Sequence, residues 1–231
     1  MNLTENIPTY ISIIFAITTL LTVYFFYLAT KKSKAFLILI LSWLLLQSWL
    51  GLANFYQQTY TIPPKFLLLI LPPIALIIGL FTTKKGNLFL DQLLIQKLHL
   101  LHVIRIPVEL VLYGLYIHKM VPQLMTFEGR NFDILSGISA PILYYFGYKK
   151  KQIHPKVILI WNIIGLALLI NIVVNAVLSA PFPFQKFAFN QPNIAVLYFP
   201  FNLLPSCVVP LVLLSHLASI RQILIENKIK S

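Results

Sequence analysis

The chain alternates long apolar runs with short polar interruptions, and the runs have the length of membrane-crossing helices. An α-helix rises about 1.5 Å per residue, so roughly 17–25 apolar residues span a hydrocarbon layer about 30 Å thick. Seven stretches fit: about 8–30, 35–56, 65–83, 98–118, 132–148, 157–179 and 199–220. The pattern predicts an all-α integral membrane protein, a single seven-helix transmembrane domain over residues 1–231. The first run lacks a basic leading segment and is as long as a full span, so it reads as helix one and not as a cleaved leader.

The interruptions carry signals of their own. Gly86 to Lys97 mixes leucines with Asp91, Gln92 and Lys97, the pattern of a short amphipathic helix or of an extension of helix four. Lys119 to Asp133 places Glu128, Arg130 and Asp133 beside Phe127 and Phe132, with Gly129 permitting a tight turn. Ala180 to Tyr198 is rich in phenylalanine and proline and predicts a segment lying at the outer interface, as an anchor or as a lid over a hydrophobic ligand.

Composition agrees with the pattern. Of 231 residues, 58% are hydrophobic and 10% charged, and the mean hydropathy of +0.83 excludes an ordinary soluble domain. A net charge of +12 would suggest nucleic acid in a soluble protein. Here the base sits in alternate connections: Lys31, Lys32 and Lys34; Lys84, Lys85 and Lys97; Lys149 to Lys151 and Lys156; Arg221, Lys228 and Lys230. The opposite side has only Lys65, Lys119, Arg130 and Lys186. Positive residues collect on the cytoplasmic face, which predicts the N-terminus outside and the C-terminus in the cytoplasm. The expected partners are the lipid bilayer and a small-molecule or lipid ligand, with no nucleic acid. Isoleucine, lysine and asparagine richness with compact loops points to a bacterial inner (plasma) membrane. Cys207 is a lone cysteine in an apolar stretch, which leaves no disulfide framework and no cysteine metal cluster.

The candidate chemistry lies in the fourth span. In LHLLHVIRIPVELVLYGLY, His99, His102, Arg105, Glu109, Tyr113 and Tyr116 share about one third of a helical circumference. Ionisable residues in hydrocarbon are costly and face a protein interior or a wet cavity, so the stripe marks a functional site. An Arg105–Glu109 pair one turn apart is the structural alternative. Pro107, off the stripe, predicts a kink. Asn171 and Asn175 lie one turn apart in the sixth span, suited to helix packing or to ligand binding, while Asn162 points the opposite way. His216 comes from the seventh span at a depth similar to His99 and His102, and these three are the candidate metal ligands.

The seven-span layout resembles three groups. Retinal proteins use a lysine in helix seven for a Schiff base; span 199–220 has none, so that chromophore is excluded. SWEET sugar transporters are similar in topology, but their fourth helix is a linker, whereas here it is the most polar. Seven-span zinc hydrolases of the ceramidase and adiponectin-receptor kind use a His-x3-His pair in helix seven, where this chain has only His216. No resemblance extends to a family motif. The leading expectation is binding or transport of a small or amphiphilic ligand through a polar cavity centred on helix four. Arg105 would hold an anionic group, Glu109 would exchange a proton, Tyr113 would orient the ligand, and His99 and His102 would relay protons. The alternatives are an intramembrane zinc hydrolase built on His99, His102 and His216, and a membrane scaffold or subunit.

Overall fold

The computed structural model describes residues 7–61 and 63–230; the side chains of Lys228 and Lys230, two of the basic residues counted above, lie outside the described set. The protein is 74% helical, with no strand among the described residues. Helices α1 (Thr9–Ala29) and α2 (Lys34–Leu52) are followed by α3 (Leu67–Thr82) and α4 (Lys84–Gln92). Next come α5 (Ile95–Leu101) and α6 (Arg105–Ile117), joined through a short 3-10 turn at His102–Ile104. Helix α7 (Ile134–Leu143) runs on into a π-helical segment, Tyr144–Lys149. Helix α8 (Pro155–Leu178) is the longest, and a second π segment, Leu204–Val208, leads into α9 (Val209–Lys230).

Local chemistry sets these boundaries. Ser33 and Thr83 use their hydroxyls to accept the N–H of Phe36 and Gly86, capping α2 and α4. Pro155 occupies the first turn of α8, where its missing N–H costs nothing. Between α3 and α4 the chain bends by 93°. Gly86 makes that bend possible, because a Cβ there would sit 2.3 Å from the Leu80 carbonyl oxygen.

Among the described residues, five helices are long and apolar enough to cross a membrane: α1, α2, Ile95–Ile117, α8 and Leu204–Glu226. Counting the bent α3–α4 pair as one span raises the number to six. The remaining departure from the expected seven is the fifth stretch. Its regular helix, α7, has ten residues and a six-residue π extension, short of a full span. The Gly86–Lys97 stretch is divided: Gly86–Gln92 lies in the short helix α4, and Ile95–Lys97 opens α5, extending the helix-four segment. Helix α4 stands apart from that segment. It is tied to α9 by Arg221 and Asp91 at 2.8 Å.

The main core gathers α1, α5, α6, α8 and α9. A smaller cluster joins Tyr56, Phe66 and Leu69 to Ala180, Phe182, Val196 and Leu197, so the aromatic connection after α8 is folded over one end of α3. The outward faces of α1, α2 and α8 carry exposed leucines and isoleucines, as lipid-facing helices do.

Candidate functional site

The polar residues of the helix-four segment turn inward and are completed by the connection that follows. Arg105, the first residue of α6, is 3% exposed and places Nη1 3.3 Å from Asp133 Oδ1. It also donates to the Gly165 carbonyl from both Nη1 and Nη2, each at 3.4 Å. One turn on, the Glu109 carboxylate accepts from Asn131 Nδ2. The Asn131 amide is oriented independently, since its Oδ1 accepts the N–H of Asp133 at 3.1 Å and its Nδ2 also donates to the Met125 carbonyl. Two residues one turn apart on α6 are thus read by two residues of the following turn. The Arg105–Glu109 pair suggested by the spacing gives way to Arg105–Asp133 and Glu109–Asn131.

From Arg105 a chain of hydrogen bonds crosses three helices. Arg105 Nη2 donates to His216 Nε2 at 3.1 Å. His216 Nδ1–H donates to Asn162 Oδ1 at 3.0 Å, and Asn162 Nδ2 donates to His99 Nε2 at 2.7 Å. His99 Nδ1–H ends the chain on the Ile95 carbonyl at 2.9 Å, with the Tyr148 hydroxyl 3.1 Å from the same nitrogen. Guanidinium only donates and a carbonyl only accepts, so every proton in between points one way. Both imidazoles are consequently the neutral Nδ1–H tautomer.

His102 is different. Both of its ring nitrogens are buried and have no partner among the described residues. Its ring stacks on His216 with centroids 4.0 Å apart, and Trp161 lies across His99, His102 and His216 at 5.3–5.6 Å. Of the three histidines expected to share a metal, His102 and His216 therefore meet as a stack, with His99 edge-on to His102 at 6.4 Å between centroids. The nitrogens of His99 and His216 already have partners, and stacked rings hold their lone pairs side by side. Among the described residues no group of three His, Cys, Asp or Glu side chains could hold a metal ion. An imidazole buried without partners costs roughly 1–3 kcal/mol per polar atom. His102→Leu is accordingly expected to unfold at the wild-type temperature or above, followed by thermal denaturation in detergent; a midpoint several degrees lower would show that these nitrogens have a partner.

On the other side of Glu109 lies a cavity of about 190 Å³ between α3, α6, α8 and the start of α9. Its walls are apolar except for Glu109, Asp133 and Asn193. Glu109 Oε2 and Asn193 Oδ1 are both buried and have no partner among the described residues. The orientation of Asn193 follows from its Nδ2, which donates to the Ala176 carbonyl at 3.1 Å. The wall contributed by the π segment includes Pro205, with Pro210 one turn further along, and neither has an N–H to offer. Helices α3 and α8 barely meet across the cavity. Ile170 and Val174 of α8 line it while remaining 52% and 47% exposed on the outer surface of the bundle, which leaves an opening between α3 and α8.

The residues expected from the sequence divide into groups. His99, His102, Arg105 and His216 come together in the stack and chain, and Glu109 lies on the cavity. Tyr113 packs on Phe127 and Tyr116, with ring centroids 4.9 and 6.3 Å away, and is not among the cavity residues. Asn175 donates to Asn171, and Asn171 in turn donates to the Arg130 carbonyl at 2.8 Å, fastening α8 to the turn before α7. Sequence reasoning named Asn162 and Asp133 without giving them a part in the site, and passed over Asn131, Asn193, Gly137 and Gly165. The available signal was the pairing of polar residues two apart, Asn131 and Asp133, with polar residues one turn apart, Arg105 and Glu109.

Residues 62–224 match a family described as a domain of unknown function, DUF8737. No curated protein and no solved structure matches the chain. The matched stretch takes in α3 to most of α9 and includes every residue of the histidine stack, the hydrogen-bond chain and the Glu109 cavity. The chain belongs to the DUF8737 family.

Proposed function

We propose that this protein binds a small amphiphilic molecule within the membrane, as a receptor or carrier, with the Glu109 cavity as its site. The observation that carries the reading is Glu109 itself. A carboxylate with one oxygen unpartnered, 1% exposed, faces a cavity whose walls are apolar apart from Glu109 itself, Asp133 and Asn193. A buried polar atom left unpaired is costly, and such costs collect where a ligand completes the pairing. A cavity of about 150 Å³ can take up a molecule the size of benzene, so this one suits a compact ligand or the head of a longer amphiphile. The opening between α3 and α8 favours entry from the hydrocarbon.

In this reading Arg105 does not hold the ligand. It is neutralised by Asp133 and bound to His216 and Gly165, and it sets the position of α6. The His216–Asn162–His99 chain serves as a clamp: relaying a proton would require reversing bonds anchored on a permanent donor at one end and a permanent acceptor at the other. The ligand therefore meets Glu109. The membrane arrangement supported by the alternating basic turns is seven spans, with α3 and the α7–π segment as the two short ones, the N-terminus outside, the C-terminus cytoplasmic, in a bacterial inner membrane. That orientation puts the Glu109 cavity in the outer half of the bilayer and the histidine stack in the inner half.

Filling the cavity tests the site. Hexan-1-ol is expected to raise the unfolding midpoint of the protein in lipid nanodiscs, and Val173→Trp, which places an indole in the cavity, is expected to remove that response. An equal response in both proteins would contradict the assignment.

A further inference from the structure

We propose that the polar end of the ligand is a hydrogen-bond-donating cation, an organic ammonium, seated on Glu109 in a cavity that also offers the Asn193 side-chain carbonyl; this rests on the cavity being the ligand site. The cavity supplies acceptors and withholds donors. Its polar side chains are Glu109, Asp133 and Asn193. Two acceptor atoms, Glu109 Oε2 and Asn193 Oδ1, are buried with nothing to accept from. The one side-chain donor among the three, Asn193 Nδ2, is committed to the Ala176 carbonyl.

Charge points the same way. Arg105 and Asp133 cancel at 3.3 Å, and Arg105 is not part of the cavity wall. Among the described residues Glu109 forms no ion pair, and its side-chain partner is the neutral amide of Asn131. A carboxylate ligand would bring its charge against Glu109 and would find no donor. A neutral alcohol has a single O–H to give and brings no charge to pair with the Glu109 carboxylate. A primary or secondary ammonium carries two or three N–H donors and a single positive charge, so it can pair with Glu109 Oε2, with Asn193 Oδ1 a second acceptor in the same cavity, while its apolar body fills the remaining wall. The sequence-based expectation of an anionic ligand on Arg105 is thereby reversed in sign.

A matched series separates this proposal from the site assignment beneath it. Hexylammonium, which stays protonated at neutral pH like a lysine side chain, is compared with hexan-1-ol and hexanoate for binding to the full-length protein in nanodiscs of neutral lipid. Val173→Trp is run in parallel to subtract partitioning into the bilayer. Hexylammonium is expected to bind roughly tenfold or more tighter than hexan-1-ol, the size of a charge-assisted hydrogen bond, with hexanoate weakest. In Glu109→Gln the ammonium preference is expected to vanish while hexan-1-ol binding persists, which also shows that the variant is folded. Hexan-1-ol binding that Val173→Trp abolishes, with hexylammonium no tighter or with hexanoate tightest, overturns the cation proposal and leaves the cavity assignment standing. Failure of all three probes to bind overturns both. The order of affinities in the wild-type protein decides the matter by itself if Glu109→Gln does not fold.

Discussion

Arg105→Ala is expected to be the most damaging single substitution in the protein. The guanidinium is 3% exposed and serves Asp133, Gly165 and His216 at once. Removing it strands a buried carboxylate, a backbone carbonyl and an imidazole nitrogen, and deleting one member of a buried ion pair typically costs about 3–5 kcal/mol. The loss extends beyond the pair, because Arg105 is the donor that fixes the direction of the bonds through His216, Asn162 and His99. Loss of monodisperse protein on size exclusion in mild detergent, or a large drop in unfolding temperature, is the expected readout. Arg105→Lys should recover little, since an ammonium lacks the planar fork needed for partners on α8, α9 and the start of α7. Arg105→Met with Asp133→Leu should recover more than either single change, because the double variant buries no uncompensated charge. Near-wild-type stability of Arg105→Ala would mean that the pair is solvated and the clamp is not a clamp.

Gly165→Ala is the second. Glycine is required here by space: a Cβ would lie 2.6 Å from His216 Cε1 and 2.9 Å from Nε2, nearer than any real contact. His216 cannot retreat freely, since it is stacked against His102 and bonded to Arg105 and Asn162. One methyl group is therefore expected to cost about 1–3 kcal/mol through forced shifts, although alanine is the better helix former. Gly137 makes the same allowance on the other side of Arg105, where a Cβ would lie 2.9 Å from Ile106 Cγ1 and 3.3 Å from Arg105 Cβ. The interaction with His216 is measurable as a cycle. Gly165→Ala should be much less damaging in a His216→Ala background, and strict additivity of the two changes would contradict the close approach.

These glycines show where sequence reasoning stopped. Apolar length located the helices because a span must bury its backbone polar groups in its own hydrogen bonds. Helical periodicity likewise gathered His99, His102, Arg105 and Glu109 onto one face, and the 3-10 turn at His102–Ile104 did not separate them. Partners were another matter. Glu109 lies at the correct spacing to pair with Arg105, but Asp133 reaches the guanidinium from the next element, and nothing local reveals that return. Asn162 was correctly placed opposite Asn171 and Asn175; in the fold that opposite side is the interior, where Asn162 joins two histidines. Asn193 sits in an aromatic connection whose path over the end of α3 depends on the packing of Phe182 against Phe66, at 5.1 Å between centroids. The 93° bend after α3 and the π segments had no signature beyond their prolines and glycines.

Native mass spectrometry of the gently extracted protein, with metal analysis of the same sample, tests the ligand-binding reading most directly. The expected spectrum shows one small amphiphile bound per chain, bearing an ammonium group and lost in both Val173→Trp and Glu109→Gln. A protein that carries no such molecule but holds stoichiometric zinc or iron, lost in His99→Ala/His102→Ala, would contradict it and place the chemistry at the histidines.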